Sequence, residues 1–241
     1  MNSRPLAIVT GGAGNLGRFV TRGLIDDGYA ALVLDRATVP AGQWVASIPV
    51  DVADAVAVAG AVADGSARWG PPAALVTCHG WSPKAADGQA AGAAAMPPAD
   101  FMDVIRVNLL GCYIALQAIV PAMATAGGGR VVNVASTSGL TGRTTASAAY
   151  AAAKAGIESL TRSFAAEYGA RGVLVTAVAP GKFASPGWAD APVTLEQYTA
   201  SIPLGRLATA GDVAAVIQFL ASARNTYITG HTIVIDGGRL A

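Results

Sequence analysis

Residues 6–17 read Leu6-Ala7-Ile8-Val9-Thr10-Gly11-Gly12-Ala13-Gly14-Asn15-Leu16-Gly17, and this stretch sets the architecture of the chain. Its first four residues are a short apolar run, typical of a strand that is buried on both faces. An apolar helical pattern through Phe19, Val20 and Leu24 follows the glycines. Strand, glycine loop and helix in this order predict a phosphate-binding turn, because glycine lets the backbone approach a pyrophosphate at the positive end of a helix.

Short apolar runs recur along the rest of the chain and alternate with helical patterns. The runs cover residues 31–34, 48–50, 73–76, 131–135, 173–178 and 232–235. This alternation predicts an α/β fold, with one Rossmann-type domain over residues 1–241. We expect a doubly wound parallel sheet of about seven strands with helices on both faces.

The irregular segments near 81–98, 139–149 and 183–203 are predicted to be substrate loops, because α/β sheets bind ligands at the carboxyl ends of their strands. In the first loop, Trp81, Ser82 and Lys84 are candidate substrate contacts, with ordinary surface positions as the alternative. Residues 195–207 are expected to form a mobile flap and a turn.

The composition narrows the class of protein. Apolar residues make up 53% of the chain and charged residues 13%, so much of the surface must be apolar or covered by partner subunits. A net charge of +1 gives no electrostatic case for nucleic acid or for an anionic membrane. The apolar stretch 109–126 is interrupted by Gln117 and Pro121 and is short for a membrane span, so it predicts a buried or interfacial helix. No signal-like segment precedes Leu6, and we expect a cytoplasmic protein.

The two cysteines and two histidines do not suggest a metal site. Cys78 and Cys112 lie in apolar surroundings without metal-ligand spacing, and they are interpreted as buried free thiols in a reducing compartment. His79 and His231 are isolated, so no metal is predicted.

Two acidic residues follow the second and third apolar runs. Asp35 lies 24 residues after Gly11, and a carboxylate there accepts hydrogen bonds from the adenosine ribose hydroxyls and repels a 2′-phosphate. This favours NAD over NADP, although the guanidinium of Arg36 could hold a phosphate, and a plain surface Asp-Arg pair is the alternative. Asp51, followed by Val52, is expected near the adenine edge.

Tyr150 and Lys154 are four residues apart in a helical pattern, so their side chains project from the same face. An ammonium ~4 Å from a phenol at an effective dielectric of ~20 is worth roughly 4 kcal/mol, or about three pKa units. We therefore expect Lys154 to lower the pKa of Tyr150 toward working pH, as an acid-base catalyst requires.

Together these features resemble the short-chain dehydrogenase/reductase family in its compact single-domain form, over essentially the whole chain. The motifs that carry the resemblance are the glycine loop 10–17, Asp35, Asp51, Asn108, Ser136, Tyr150-x-x-x-Lys154, Pro180-Gly181, Thr229-Gly230 and Asp236-Gly237-Gly238.

The resemblance implies a role for each catalytic residue. Tyr150 exchanges a proton with the substrate oxygen, and Lys154 lowers its pKa and hydrogen-bonds the nicotinamide ribose. Ser136 orients and polarises the substrate oxygen. Asn108 holds a water that links Lys154 to solvent, and Ser185 matches the threonine that contacts the nicotinamide carboxamide. The implied cofactor-binding set is Gly11, Gly14, Asn15, Leu16, Gly17, Asp35, Arg36, Asp51, Val52, Gly80, Tyr150, Lys154, Pro180, Gly181 and Ser185.

The chain departs from the family pattern at three places. Asn15 stands where compact members usually have a glycine. Residues 77–80, Thr-Cys-His-Gly, replace the usual Asn-Asn-Ala-Gly, and His79 is interpreted as structural rather than catalytic. Ser136 lies 14 residues before Tyr150, where 13 is usual, so Ser138 is kept as the second candidate for the catalytic serine.

The resemblance implies an NAD(H)-dependent oxidoreductase that interconverts a secondary alcohol and a ketone. The alternatives are an NADPH-dependent carbonyl or 3-oxoacyl thioester reductase and a non-catalytic, cofactor-binding regulatory protein. Phe183, Trp188 and Leu195 are candidates for an apolar pocket lining, and Arg143 and Lys182 for contact with a carboxylate or another anion.

The resemblance also implies an assembly. The helices that hold Asn108 and Tyr150 are expected to form a four-helix interface between subunits, and Gly237-Gly238 to pack across a second two-fold axis. A homotetramer is predicted, with a dimer as the next alternative.

Overall fold

Seven parallel strands form one sheet in the computed structural model, which describes residues 4–83, 90, 92–142, 146–184 and 194–241. The strands occur in the order β3-β2-β1-β4-β5-β6-β7. They are β1 (Leu6–Thr10), β2 (Ala30–Asp35), β3 (Val45–Pro49), β4 (Pro72–Thr77), β5 (Gly129–Val134), β6 (Val173–Pro180) and β7 (Thr232–Ile235). The predicted doubly wound parallel sheet is confirmed.

Helices cover both faces of the sheet. They are α1 (Asn15–Asp26), α2 (Ala55–Trp69), α3 (Pro98–Ile105), α4 (Gly111–Thr125), α5 (Ala148–Tyr168), α6 (Thr194–Ala200) and α7 (Ala210–Ala221). Alternate residues of β1 serve opposite cores: Leu6 and Ile8 join the cluster with α2, α4 and α5, and Ala7 and Val9 join the cluster with α1 and α7. This two-sided burial explains why β1 is apolar at successive positions.

The direction of the winding reverses at β1, which pairs with β2 on one side and β4 on the other. Thr10, the last residue of β1, is in register with Leu34 and with Thr77. The backbone N–H of Cys78 donates a hydrogen bond of 2.9 Å to the carbonyl of Thr10. The glycine loop and residues 78–80 therefore lie side by side at the carboxyl edge of the sheet, where such folds form their binding crevice.

A π-helical turn, Arg106–Leu110, joins α3 to α4. The continuous segment Pro98–Thr125 is long and apolar enough by length and composition to cross a membrane, but half of its most apolar window is buried inside the protein. Ile119, Val120 and Met123 belong to the core cluster under the sheet. This packing is that of a core helix, in line with the buried or interfacial helix predicted for 109–126.

One predicted element is wrong. The sequence predicts a flap and a turn over 195–207, but the structure has α6 at Thr194–Ala200, and only the residues after it form turns. Leucine, glutamate and glutamine, which favour helix, occupy successive positions there, and the segment is too short for an apolar periodicity to reveal it. The third strand is predicted at residues 48–50, but β3 spans Val45–Pro49 and so begins and ends earlier in the chain.

Candidate active site

The glycine loop is built by close backbone approach. Gly11 has a φ of +69°, and a Cβ on it would lie 2.5 Å from backbone atoms of His79. A Cβ on Gly17 would collide with the carbonyl oxygen of Gly11. Gly14 is the exposed N-cap of α1, and no side chain in the described part of the chain caps the helix. The first backbone N–H groups of α1 therefore meet a cleft without a side-chain acceptor, which suits a pyrophosphate.

Asp35 stands at the rim of an adjoining cleft of about 660 Å³. Its carboxylate accepts hydrogen bonds from the backbone N–H groups of Ala13, at 3.0 Å, and Ala37, at 3.1 Å. Arg36 and Val52 line the same cleft. The carboxylate thus ties the glycine loop to the end of β2 at the position predicted for recognition of an adenosine ribose.

Asp51 lies in the same cleft and is ion-paired with Arg106 at 3.1 Å. A hydrogen bond from the backbone N–H of Ala53 and the Arg106 guanidinium together lower the pKa of the Asp51 carboxyl. Asp51 is therefore ionised at neutral pH, and part of its charge is neutralised by Arg106.

A second cleft of about 420 Å³ continues from the glycine loop and brings the predicted catalytic residues together. Ser136, Tyr150 and Lys154 all line it, as do Pro180 and Gly181. Ser136 follows the end of β5, while the other two residues come from the first turns of α5. That helix begins where Ser147 Oγ accepts a hydrogen bond from the Tyr150 backbone N–H at 3.3 Å.

Lys154 is only 2% exposed. Its Nζ donates a hydrogen bond of 2.8 Å to the carbonyl of Val134 and lies 5.4 Å from the centroid of the Tyr150 ring. Burial lowers the pKa of the Lys154 amine to about 8. An ammonium held in such a place has little solvation other than what the site itself provides.

The pKa of Tyr150 does not follow the sequence-based expectation. Burial raises the pKa of the Tyr150 phenol to about 12, and a hydrogen bond with Ser136 acts in the opposite direction. The prediction that Lys154 lowers this pKa by about three units is thus wrong for this structure. Desolvation dominates this pKa, and the Lys154 amine lies beside the ring and donates its hydrogen bond to Val134.

Asn108 is fully buried in the π-helical turn. Its Nδ2 donates hydrogen bonds to the carbonyls of Trp81, at 2.8 Å, and Val104, at 2.9 Å, and its Oδ1 accepts one from the backbone N–H of Trp81 at 3.1 Å. A Cβ added to Gly80 would lie 3.1 Å from Asn108 Oδ1 and 3.5 Å from Lys154 Nζ. Asn108 therefore fixes residues 80–81 directly beside Lys154.

A family model and solved structures of known proteins resemble this chain in sequence and fold. A family model described as enoyl-(acyl carrier protein) reductase matches residues 25–239. A solved structure from Burkholderia xenovorans, described as a short-chain dehydrogenase/reductase, superposes with a TM-score of 0.89 at 31% identity and covers 99% of this chain and 98% of its own. The chain belongs to the short-chain dehydrogenase/reductase family.

Two further similarities concern the cofactor. The 2-dehydro-3-deoxy-L-rhamnonate dehydrogenase (NAD(+)) of Sphingomonas sp. (strain SKA58) is 36% identical over 97% of this chain and 94% of its own length. The structure of ElxO with NADP bound has a TM-score of 0.90 at 25% identity and covers 98% of this chain and 99% of that one. The similar proteins thus include one named for NAD and one solved with NADP.

The departures from the family pattern have structural explanations. Asn15 Nδ2 donates a hydrogen bond of 3.2 Å to the carbonyl of Ala184, which ties the glycine loop to the segment after β6. Ser136 Oγ accepts a hydrogen bond of 3.1 Å from the Ser138 backbone N–H, and the Ser136 side chain acts to lower the pKa of Tyr150. Both serines line the cleft, and this effect on Tyr150 favours Ser136 as the catalytic serine.

His79, which replaces the usual alanine of the family, is buried beside the glycine loop. Its Nδ1 and Thr10 Oγ1 are 2.6 Å apart and share a hydrogen bond, while Nε2 has no hydrogen-bond partner among the residues that the structure describes. Burial lowers the pKa of His79 to about 3, so the imidazole is neutral at neutral pH. These features fit a structural histidine.

Cys112 is buried as predicted, but Cys78 is partly exposed and lines both clefts.

Only some of the residues predicted to contact substrate or cofactor lie in the described part of the chain. Trp81, Ser82, Lys182 and Phe183 line the second cleft. Four predicted residues and one side chain lie outside the described part of the chain: Lys84, Arg143, Ser185, Trp188 and the Leu195 side chain. Tyr198 and Arg239, which the sequence pattern does not predict, also line the cleft. Only a helical interpretation of residues 194–200 would have drawn attention to Tyr198.

Proposed function

We propose that this short-chain dehydrogenase/reductase is an NAD(H)-dependent enzyme that interconverts a secondary alcohol and a ketone. The observation that carries the proposal is the convergence of Ser136, Tyr150 and Lys154 in one cleft, which also contains the end of the glycine loop. The proposed catalytic residues are Ser136, Tyr150, Lys154 and, as a positioning residue, Asn108.

The residues at the carboxyl edge of the sheet fit a dinucleotide. The uncapped start of α1 at Gly14 suits the pyrophosphate, and the first cleft, with Asp35 and Asp51, suits the adenosine half. The second cleft then takes the nicotinamide half beside Tyr150. We propose NAD as the cofactor because the Asp35 carboxylate would repel a 2′-phosphate, whereas Arg36 beside it is the group that would favour NADP.

The chain's own residues handle the oxygen and the proton of the substrate. When bound, the nicotinamide group accepts a hydride from the alcohol carbon, or donates one to the ketone carbon. Ser136 Oγ orients and polarises the substrate oxygen, and Tyr150 takes its proton in oxidation or returns it in reduction. Lys154, held by Val134 beside the Tyr150 ring, is the proposed contact for the nicotinamide ribose. Asn108 holds residues 80–81 next to the Lys154 amine.

A phenol with a pKa of about 12 is protonated at neutral pH. Tyr150 is therefore in the form that donates a proton to a ketone oxygen. In the oxidative direction, the phenol must first lose its proton, so oxidation is expected to be faster in alkaline solution.

The test is a fluorescence titration of the purified protein with NADH and, separately, with NADPH, followed by rate measurements on a panel of secondary alcohols and ketones. Tighter binding of NADH and turnover that disappears in Tyr150→Phe support the proposal. Tighter binding of NADPH favours the second candidate, a carbonyl or 3-oxoacyl thioester reductase, which the acyl-carrier description of the family model also suggests. Binding without turnover of any panel member favours a regulatory protein.

A further inference from the structure

A chain of buried hydrogen bonds joins β4, β5 and α5. Asn133 of β5 lies at its centre and is fully buried. Its Nδ2 donates a hydrogen bond of 3.0 Å to Thr161 Oγ1 on α5, and its Oδ1 accepts one of 3.1 Å from Thr77 Oγ1 at the end of β4. Thr161 Oγ1 in turn donates one of 2.9 Å to the carbonyl of Ile157. One amide thus ties two neighbouring strands to the helix that carries the proposed acid-base pair.

This amide occupies a place in the apolar core. Val131 and Ala135, its neighbours on the same face of β5, both belong to the core cluster. A buried polar group is costly unless it is hydrogen-bonded, whereas an apolar side chain at position 133 would need no partner. A hydrogen-bonded network, in return, fixes distance and orientation more strictly than apolar contacts do. Asn133 therefore specifies how α5 lies on the sheet.

Lys154 lies within the stretch of α5 that this network holds. It precedes Thr161 by seven residues, about two turns, so both side chains point from the same face. Asn133 directly precedes Val134, whose carbonyl accepts the Lys154 hydrogen bond of 2.8 Å. Beyond Lys154, a Cβ on Gly139 would lie 2.9 Å from its backbone carbonyl carbon. A shift of α5 away from β5 at Thr161 would thus draw the amine away from Val134.

The position of the amine depends on this packing because no opposite charge holds it among the residues that the structure describes. None of their ion pairs includes Lys154. The titratable groups near Lys154 are uncharged at neutral pH, since burial raises the pKa of the phenol and thiols and lowers that of the imidazole. These groups are Tyr150, Cys78, His79 and Cys112.

We propose that the hydrogen bond between Asn133 and Thr161 positions Lys154 for the reaction. The bond sets the separation of α5 from β5, so that Lys154 reaches Val134 and stays beside the Tyr150 ring. Asn133 and Thr161 are positioning residues, because neither of them lines the cleft. The inference rests on the proposed function, which gives Lys154 its catalytic role. A displacement of about 1 Å at a catalytic group can cost roughly a hundredfold in rate.

Thr161→Val tests the inference, because it keeps the shape of the side chain and removes the hydroxyl. On a secondary alcohol that the wild type oxidises, kcat should fall about tenfold to a hundredfold. Thr161→Ser keeps the hydroxyl and should retain nearly the wild-type kcat. Thr176→Val is the matched control: Thr176 is also fully buried, and its Oγ1 donates a hydrogen bond of 3.1 Å to the carbonyl of Val131 without involving α5. It should lose stability but keep its kcat.

A titration of Lys154 itself supplies a readout that a purely structural role would not change. The chain has three lysines, Lys84, Lys154 and Lys182, so a protein labelled with ¹³C at the lysine ε-carbons gives few signals. The signal that is missing in Lys154→Met belongs to Lys154. Its pKa, about 8 in the wild type without cofactor, should rise toward 10.5 in Thr161→Val, because water reaches a displaced amine. In Thr176→Val it should stay unchanged.

A double variant covers the case in which Thr161→Val does not fold. Asn133→Leu combined with Thr161→Val replaces both partners by apolar groups of similar shape, which costs less stability than leaving one partner unpaired. It should show the same loss of kcat and the same rise in the pKa of Lys154. Wild-type kcat in either folded variant, an equal loss in Thr176→Val, or a loss of kcat with an unchanged Lys154 titration would each overturn the inference.

The two proposals fail in different ways. If turnover depends on Tyr150 but Thr161→Val matches the wild type, the proposed function stands and the positioning role is wrong. If no alcohol or ketone is turned over, the proposed function is wrong, while the titration of Lys154 needs no substrate and still decides whether Thr161 holds the amine in place.

Discussion

Lys154 Nζ donates a hydrogen bond of 2.8 Å to the backbone carbonyl of Val134, at the end of β5. This bond draws the amine of α5 into the edge of the sheet, where the side chain is 2% exposed. The protein thus buries a cation whose nearest aromatic neighbour is the proposed catalytic tyrosine.

Replacing Lys154 by methionine should stabilise the cofactor-free protein at neutral pH and abolish activity. Burial lowers the pKa of Lys154 from 10.5 to about 8. Keeping the buried amine charged therefore costs roughly 3 kcal/mol of folding stability, and the hydrogen bond to Val134 offsets part of this cost. Because the unfolded state binds more protons at Lys154 than the folded state between these two pKa values, the Lys154 contribution to stability should rise with pH from about 8 to 10.5. The raised pKa values of Cys78 and Cys112 act in the opposite direction above pH 9, in both wild type and variant, so the difference between the two proteins is the quantity to follow. Lys154→Met should lose this rise. Urea unfolding at several pH values measures both effects.

Lys182→Met is the control for that experiment, because Lys182 is only partly buried and should show a smaller change at neutral pH. Lower stability of Lys154→Met than of the wild type near neutral pH would mean that the hydrogen bond and packing of Lys154 outweigh the cost of burying its charge.

Tyr150→Phe should lower kcat by about 10²–10⁴, the usual contribution of a general acid or base. With a phenol pKa of about 12, kcat/KM for alcohol oxidation by the wild type should rise about tenfold per pH unit through the neutral and mildly alkaline range, because the phenolate fraction does so. Initial rates across this range measure the slope. Tyr113→Phe, at an exposed tyrosine of α4, should change neither value. A rate independent of pH would show that bound cofactor lowers the pKa of Tyr150 below the range tested.

Asp35→Asn should shift cofactor preference toward NADPH by about tenfold, because it removes a negative charge that repels the 2′-phosphate. The ratio of the two dissociation constants from fluorescence titration is the measured quantity. Asp51→Asn is the matched control, since Asp51 is already paired with Arg106 and should alter the ratio less. An unchanged ratio in Asp35→Asn would show that Asp35 serves only to hold the backbone of Ala13 and Ala37.

Asn108→Leu should destabilise the protein by roughly 2–4 kcal/mol, because it leaves the N–H and carbonyl groups of Trp81 without their partners near a buried site. Activity should also fall, since residues 80–81 lie beside the Lys154 amine. Val107→Ala, in the same π-helical turn, controls for simple loss of packing. Equilibrium unfolding and kcat are measured together. Wild-type activity in a folded Asn108→Leu protein would remove Asn108 from the catalytic arrangement.

We propose that the enzyme is a homotetramer joined through α4 and α5. Tyr113 of α4 packs edge-on against Phe164 of α5, which stacks on Tyr168, and Leu110 beside them is 42% exposed. Leu110→Glu should convert tetramers to dimers or monomers in light scattering, because it places a charge in an apolar interface. Val56→Glu, at an equally apolar position of α2 that is 84% exposed, should leave the tetramer intact. A monomeric wild type would refute the assembly.

The fold could be predicted because its signals are local. A strand buried on both faces is apolar at successive positions, as in β1, and a glycine loop between strand and helix is visible over a few residues. The flap predicted over 195–207 was the exception, since α6 is one short helix without a core-facing periodicity. The substrate loops were the least predictable part, because their chain paths depend on the elements that they cross.

The strand and helix alternation, the glycine loop and the pairing of Tyr150 with Lys154 follow from local sequence, since a spacing of four residues on a helix places two side chains on one face whatever surrounds it. The pKa values of that pair depend on the folded packing, because desolvation is set by what packs around α5. The same holds for Lys182, Tyr198 and Arg239. Residues from three distant segments meet around one ring only when β6, α6 and the turn after β7 converge at the carboxyl edge of the sheet.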